Sequence, residues 1–305
     1  MSPKHSMLAV LVMLVWGVNF VVIDEGLKGV PPLLFLAMRF TLVALPLVFF
    51  VPRPQAGWRD VVAVGAFMSL GQFSLLYLGL DLGMPAGLAS LVLQAQVIFT
   101  IVIATVVIKE RPSRRQVVGA LIGTGGLLIV VVAHGASAPV VPVLILLGAA
   151  MSWAIGNVIS RRAGISSGFS LVVWSALVVP LPALGLSLLV DGGDEVGRAL
   201  THLSGVAIAS SAYTAIGASL IGYGIWNNLL ARNPASAVVP FVLLVPPIGI
   251  AAAWAVQDEV PTVLELVGGT IMLIGVAAAT IKGRAGRREA PRAAATPAVP
   301  SVPSA

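Results

Sequence analysis

Two tryptophan–asparagine pairs are the side chains best suited to recognising a small molecule. Trp16 and Asn19 are three residues apart, and Trp153 and Asn157 are four apart, so each pair shares one face of a helix. An indole supplies an apolar wall, and a carboxamide supplies donors and an acceptor, which together suit a small zwitterion. The alternative is that both pairs only pack and hydrogen-bond between helices.

Other polar side chains interrupt apolar runs elsewhere in the chain. Because a polar group is costly in lipid, such side chains should face a bundle interior or a cavity. Gln94 and Gln96 lie about 200° apart on a helix, which predicts that only Gln94 faces a cavity. Gln72 is likewise predicted to lie off the face that Ser74 and Tyr77 share. With packing as the alternative, the predicted substrate-binding set is Trp16, Asn19, Ser74, Tyr77, Ser90, Gln94, Trp153, Asn157, Ser219, Tyr223 and Asn227.

One charge and three prolines stand out inside apolar runs. Arg39 could contact a substrate carboxylate, but we favour a structural role, with the side chain reaching outward to helix-end carbonyls or to Asp24. Pro240, Pro246 and Pro247 remove backbone donors from one run, and we expect a kink or gate there. The first half of the chain has no prolines at the matching positions, so the kink is predicted in one half only.

The chain lacks the motifs of known catalytic and metal centres. Gly-Ile-Ser-Ser-Gly at 164–168 fits G-x-S-x-G but lacks the strand–turn–helix context that this pattern needs. No Walker loop or HExxH occurs, and His5, His134 and His202 fall at segment ends. We therefore predict no enzyme activity, no metal and no cofactor. The acids also fall at segment ends or in loops, with Glu265 the deepest, so we predict no buried proton relay.

The composition is that of a polytopic membrane protein. Of 305 residues, 58% are hydrophobic and 10% are charged, and the mean hydropathy is +1.02, whereas soluble domains have about 25% charged residues. These values exclude an ordinary cytosolic enzyme and a disordered chain. The net charge is +6, but the charged residues lie between apolar runs and not on one face, so nucleic acid is not an expected partner. The expected partners are the lipid bilayer and a small-molecule substrate.

Ten apolar runs approach the length of about 20 residues that a membrane-spanning helix needs. The first, at 7–23, has no cleavage site after it and is interpreted as a retained span. With the N-terminus inside, fifteen Lys and Arg fall on inner segments and only Lys28 and Arg198 on outer ones, which predicts cytoplasmic termini. The predicted spans are 7–23, 32–51, 61–80, 85–108, 116–133, 140–160, 169–190, 204–230, 234–256 and 262–281.

The two halves of the chain repeat each other. At an offset of 149, residues 80–126 align with 229–275 without a gap, and twelve of 47 positions are identical, including a Glu-x-Pro in each. Five spans per copy is an odd number, so the second copy must be inverted in the membrane, as in many secondary transporters. We predict repeats at 1–134 and 135–283 and a disordered cytoplasmic tail at 284–305.

Several motifs together resemble the EamA branch of the drug/metabolite transporter superfamily over residues 5–283. They are Trp-Gly-Val-Asn-Phe at 16–20, Met-Arg-Phe at 38–40, the stretch 83–96, Glu-Arg at 110–111, Gly-Tyr-Gly-Ile-Trp at 222–226 and Leu-Leu-Val-Pro at 243–246. One departure is Val260, where the family pattern continues Asp-Glu with arginine.

This resemblance implies ten helices as two inverted five-helix repeats in the bacterial inner membrane. It implies export of small amino-acid-like metabolites of the O-acetylserine and cysteine type, by alternating access through a cavity lined by spans 1, 3, 4, 6, 8 and 9. Spans 5 and 10 would be peripheral. Alternatives are an exporter of drugs or toxic compounds and, more remotely, a membrane enzyme or a small-solute channel. The GxxxG at 119–123 is expected to pack within the chain, and monomer and homodimer both stay open.

Overall fold

A computed structural model describes residues 2–109, 111–133, 140–163, 168–233 and 238–280, and the regular structure in these ranges is entirely helical. The all-helical class is thereby confirmed. His134, residues 164–167 of the rejected motif and the predicted tail at 284–305 lie outside the described residues. The helices are α1 (Pro3–Leu27), α2 (Pro32–Leu47), α3 (Trp58–Asp81), α4 (Ala86–Val107), α5 (Arg114–Ala133), α6 (Val140–Arg162), α7 (Gly168–Val190), α8 (Gly193–Thr201), α9 (205–232), α10 (Val245–Gln257) and α11 (Val263–Thr280).

The helices follow the apolar runs because a chain in lipid must satisfy its backbone hydrogen bonds within each segment. Six of them, α1, α3, α4, α6, α7 and the 205–229 part of α9, are long and apolar enough to cross a membrane. Helices α2, α10 and α11 are shorter apolar helices, and α5 has 20 residues. A helix therefore occupies each of the ten predicted segments, and α8 is a short additional helix between two of them.

Backbone irregularities occur at matching places in the two halves. Residues Gly65–Gly71 of α3 and Tyr213–Gly222 of α9 are π-helical, and these ranges overlap at the offset of 149 found in the sequence. A π-helical turn holds extra residues, so it rotates the side chains on one side of it relative to those on the other. The faces of α3 and α9 therefore cannot be read from uninterrupted 3.6-residue periodicity.

A second matched irregularity corrects the prediction of a kink in one half only. Pro240 does lie in a 3₁₀ turn, Val239–Leu244, and Pro246 and Pro247 follow it in the first turn of α10. However, α4 is also interrupted, between Val92 and Ala95, although it has no proline there. The backbone N–H groups of Gln94, Gln96 and Val97 each bond to the carbonyl three residues earlier, which is 3₁₀ geometry. Both halves therefore share this break.

Helices α5 and α11 form the tightest pair. A Cβ on Gly126 would lie 2.3 Å from the backbone N of Met272, and one on Gly275 would lie 2.2 Å from the backbone N of Gly123. Glycine on both helices lets the backbones touch, which is how small residues drive packing in membranes. The GxxxG at 119–123 therefore packs within the chain, as expected.

Candidate functional site

A central cavity of about 390 Å³ lies among the helices of both halves, within the size range of small-molecule sites. Its walls come from α1, α3, α4, α6, α9, the 3₁₀ turn and the first residue of α10, with single residues from α2 and α11. No residue of α5 is among them. The polar and aromatic lining residues are Trp16, Asn19, Phe20, Arg39, Gln72, Phe73, Ser90, Gln94, Gln96, Trp153, Asn157, Tyr223 and Trp226.

Trp16 anchors an aromatic wall on one side of the cavity. Its indole Nε1 donates to the carbonyl of Ala218 at 2.9 Å, and its ring lies 5.0 Å from Tyr223 and 5.5 Å from Trp226 between centroids. Gly222 makes room for it, because a Cβ there would lie 2.6 Å from the indole nitrogen. The hydrogen bond and the ring contacts fix one large rigid surface, which suits the apolar part of a small solute.

Helices α1, α4 and α10 approach each other closely beside this wall. A Cβ on Gly17 would lie 2.5 Å from the side chain of Ile248, and one on Gly249 would lie 2.7 Å from the hydroxyl of Ser90. The Ser90 hydroxyl donates to the carbonyl of Gly87 at 2.6 Å. Small residues therefore bring α10 against both α1 and α4, and Ser90 reaches the cavity beside its contact with α10.

Arg39 is fully enclosed and belongs to the cavity wall. It is 2% exposed, Nη1 donates to the hydroxyl of Tyr77 at 2.8 Å, and Nη2 donates to the hydroxyl of Ser219 at 3.0 Å. Its guanidinium carbon lies 4.2 Å from the ring centroid of Phe73. The expected contact with helix-end carbonyls or Asp24 was wrong, because Tyr77 and Ser219 hold the side chain inside the bundle and it does not reach outward.

Three amide oxygens on cavity residues lack hydrogen-bond partners among the described residues. Asn19 Oδ1, Gln72 Oε1 and Gln94 Oε1 are buried and accept no hydrogen bond there. Buried polar groups are nearly always paired, by protein or by water or ligand. Unpaired acceptors on three different helices around one cavity are therefore the pattern of a site that binds a hydrogen-bond donor.

Two predictions about which faces meet the cavity were wrong. Gln96 lines it together with Gln94, because in 3₁₀ geometry residues two apart differ by about 240°, leaving them about 120° apart the short way round. In α3, Gln72 lines the cavity and Ser74 and Tyr77 do not. The periodicity separated Gln72 from that pair correctly, but only the packing of Tyr77 against Arg39 decided which face was which.

Three residues of the predicted binding set follow one another at a spacing of four along α9, as a single polar stripe would, but the structure divides them. Tyr223 lines the cavity, Ser219 supports Arg39 from behind, and Asn227 lies outside the cavity beside Gly168 of α7. Ser219 lies within the π-helical segment that ends at Gly222, which rotates it relative to Tyr223. Asn227 is one turn past Tyr223 in the same α-helical stretch and contacts α7 instead. The spacing of four therefore does not produce one continuous face here.

Polar contacts tie helix ends together at one end of the bundle. The Gln257 amide donates to Asp24 at 2.6 Å and to Glu25 at 2.9 Å. The backbone N–H groups of Ala86 and Gly87 donate to Glu259 at 3.2 and 3.3 Å. Burial raises the pKa of the Glu259 carboxyl, and these two donors act in the opposite direction. The contacts join the ends of α1, α4 and α10, and none of these residues lines the central cavity.

Glu265, the deepest acid in the sequence, serves the start of α11. It accepts from the Thr262 backbone N–H at 2.7 Å, and the Thr262 hydroxyl accepts from the Glu265 backbone N–H at 3.3 Å. This reciprocal pair is a capping box. Glu265 lines a separate pocket of about 190 Å³ with Glu259. Among the described residues, no group of three or more His, Cys, Asp or Glu could hold a metal ion.

Comparisons with known proteins agree with the architecture. The chain matches the EamA-like transporter family twice, over residues 4–132 and 141–281. It is 42% identical over 90% of its length to a "Probable amino-acid metabolite efflux pump" of Salmonella typhimurium, 94% of which is covered. The protein of that name in Escherichia coli is 39% identical with the same coverage.

More distant similarities extend the comparison. A "Probable terminal-alkyne amino-acid exporter" of Streptantibioticus cattleyicolor is 26% identical over 92% of this chain and 95% of its own. A protein of known crystal structure aligns with a TM-score of 0.63 at 20% identity, over 92% of this chain and 97% of that one. The structural likeness extends over nearly the whole of both folds.

Proposed function

Because the chain belongs to the EamA-like transporter family, we propose that it exports small amino-acid-like metabolites. Membership of this family makes it a multi-pass membrane transporter and not an enzyme. The substrate class is of the O-acetylserine and cysteine type. Two relatives that are about two-fifths identical are named amino-acid metabolite efflux pumps, which supports this class. The observation that carries the proposal is the central cavity, in which the first half places unpaired polar groups beside an aromatic wall that both halves build.

The proposed membrane arrangement has ten spans as two inverted repeats, at 1–134 and 135–283, with both termini and the 284–305 tail in the cytoplasm of a bacterium and the spans in its inner membrane. The distribution of Lys and Arg supports this orientation. The two family matches and the π-helical segments at an offset of 149 support the repeat.

Alternating access would move the two halves around the bound solute. Inverted repeats place such a site near the midplane, with interrupted helices beside it. Here the interruptions are the turn in α4 and the 3₁₀ turn that Pro240, Pro246 and Pro247 frame. The contacts of Gln257 and Glu259 hold the proposed outer ends of α1, α4 and α10 together, so they would separate when the cavity opens outward.

The proposed binding roles follow the cavity geometry. Trp16, Trp153 and Tyr223 supply apolar walls, while Asn19, Ser90, Gln94 and Asn157 supply hydrogen bonds. A zwitterion with a small side chain fits this mixture, because it needs both donors and acceptors and leaves little apolar surface. Ser74, Tyr77, Ser219 and Asn227 are assigned supporting positions outside the wall.

The experiment that tests the function is a survey of metabolites in culture medium. Cells that overproduce the chain should accumulate extracellular cysteine-pathway or related amino acids and should survive toxic analogues better than cells with an empty vector. Medium that is unchanged for every amino acid, at a verified level of protein in the membrane, would contradict the proposal. Selective export of aromatic drugs alone would favour the alternative of a drug exporter.

The orientation has its own test, because the chain contains no cysteine. A single cysteine at Ser113 should react with an impermeant maleimide only from the cytoplasmic side, and one at Gly193 only from outside. Both on one side, or both reversed, would end the ten-span arrangement with cytoplasmic termini.

A further inference from the structure

The charge of Arg39 has no counter-charge among the residues that the structure describes. Its guanidinium donates to two neutral hydroxyls, those of Tyr77 and Ser219, and its Nε has no partner among the described residues. Acids elsewhere pair with other cations at the surface, as Glu25 does with Lys28 and Glu195 with Arg198. Arginine keeps its positive charge in a protein interior. A lone cation is therefore enclosed in the wall of the central cavity.

The surroundings hold this cation in place without neutralising it. The Ser219 hydroxyl accepts from Arg39 and donates to the carbonyl of Thr214 at 2.9 Å. Phe73 and Phe40 lie 4.2 and 5.4 Å from the guanidinium carbon, and both rings are attractive to a cation. These contacts fix the orientation of the planar guanidinium, which is the geometry that binds a carboxylate through two parallel hydrogen bonds.

An isolated charge is tolerated beside an open cavity because water can solvate it, and it becomes costly when the cavity closes and water leaves. We infer that Arg39 binds the carboxylate of the transported solute and that this carboxylate must neutralise it before the cavity can close. The empty carrier, left with an unpaired buried cation, returns slowly. The loaded carrier returns fast in either direction.

Two consequences deepen the proposed function, on which this inference rests. The solute must carry a free carboxylate, and the unpaired amide oxygens of Asn19, Gln72 and Gln94 lie on cavity residues that can take its ammonium group. In addition, transport is an exchange, in which one carboxylate-bearing solute leaves as another enters. An exchanger of this kind needs no carboxylate or histidine relay inside the membrane.

The test uses vesicles reconstituted with the purified full chain and loaded with labelled L-cysteine under reductant, which is harmless to a chain without cysteine. Efflux is measured into an anion-poor medium, and then with external L-cysteine, L-cysteine methyl ester or chloride, with protein-free vesicles correcting for leakage. External L-cysteine should accelerate efflux about tenfold, equivalent to about 1.4 kcal/mol in the barrier. The methyl ester, which lacks the carboxylate, and chloride should not accelerate it.

Three variants separate charge from fold. Arg39→Gln should bring the acceleration by external L-cysteine to one or below, because the empty cavity then holds no buried cation and returns freely, whereas the bound carboxylate has lost its counter-charge. Arg39→Lys keeps the charge without the fork and should retain the acceleration with weaker binding. Arg59→Gln removes an exposed cation that does not line the cavity, and this variant should match the wild type.

Several results would overturn the inference. Exchange is contradicted if efflux from wild-type vesicles is as fast into the anion-poor medium as into medium with L-cysteine. The carboxylate requirement is contradicted if the methyl ester or chloride accelerates efflux as much as L-cysteine does. These arms need no variant, so they hold even if Arg39→Gln fails to fold. A folded Arg39→Gln that keeps the wild-type acceleration also contradicts it. No cysteine transport at all would instead overturn the proposed cysteine-type function, and this inference with it.

Discussion

The contact between α5 and α11, called the seam below, and the central cavity differ in how closely their helices pack. In the seam, glycines bring two backbones into direct contact, as at Gly126 and Met272. In the cavity, side chains from both halves leave space of about 390 Å³ and several polar atoms without partners. The seam has no room for a methyl group, whereas the cavity has room for a solute.

The difference separates stability from function along the chain. Close backbone contact gains dispersion energy that depends on every atom being in place. An unfilled polar cavity contributes little to stability and leaves unsatisfied groups for a solute. Substitutions in the seam should therefore lower stability, and substitutions in the cavity should lower transport while leaving the fold intact.

The largest effect is expected for Gly126→Ala. Its new methyl group would meet backbone atoms of Met272 and Gly268, which cannot move aside as a side chain can, so we expect a loss of about 3 kcal/mol. Gly125→Ala is the matched control, because nothing lies within 4 Å of a Cβ there. Thermal unfolding in detergent measures both. Equal melting temperatures for the two variants would show that α5 and α11 pack less closely than the structure indicates.

Next in size is the effect of truncating amides in the cavity. Asn19→Ala, Gln94→Ala and Gln96→Ala should each lower export about tenfold, because each removes a hydrogen bond worth about 1.4 kcal/mol to a bound solute, with little change in melting temperature. Gln55→Ala removes an amide from an exposed loop and should have no effect. If export falls only together with the amount of folded protein, these residues support packing and not binding.

A smaller effect should follow Trp16→Phe, which keeps an aromatic ring but removes the donor to the Ala218 carbonyl. Losing that bond should cost about 1 kcal/mol and lower export severalfold through a less fixed wall. Trp254→Phe is the control, since Trp254 is 57% exposed and does not line the cavity. A melting temperature unchanged from wild type would mean that the indole hydrogen bond is not formed.

The smallest effect is expected for proton coupling. Glu265 caps α11 and lines the separate small pocket, so Glu265→Gln, which can still accept from Thr262, should leave export nearly unchanged. An imposed pH step across proteoliposomes, with a protonophore control, should likewise drive little accumulation. Uphill accumulation that follows the pH step and disappears in Glu265→Gln would make this residue a relay.

The places of the helices were predictable from the sequence, since each needs a long apolar run and the runs are separated by Pro, Gly or charge. The candidate site was predictable in part. Trp16, Asn19, Ser90, Gln94, Trp153, Asn157 and Tyr223 line the cavity as their type and spacing suggested, because polar groups in lipid have few places to go. The resemblance to the EamA branch is confirmed by the family match.

Which face of each helix meets the cavity was decided by tertiary structure. The sequence placed Gln72 and Gln96 away from the cavity, and it placed four other residues toward it: Ser74, Tyr77, Ser219 and Asn227. These placements assumed regular α-helical turns, or they chose the wrong face of the helix. The turn in α4 changes the phase between Gln94 and Gln96, and the π-helical segment of α9 changes it between Ser219 and Tyr223. In α3 the packing of Tyr77 against Arg39 decided the face. The position of Arg39 was likewise decided by tertiary structure. The sequence alone predicted that its side chain reaches outward, and only the fold places two hydroxyls and an aromatic ring around it.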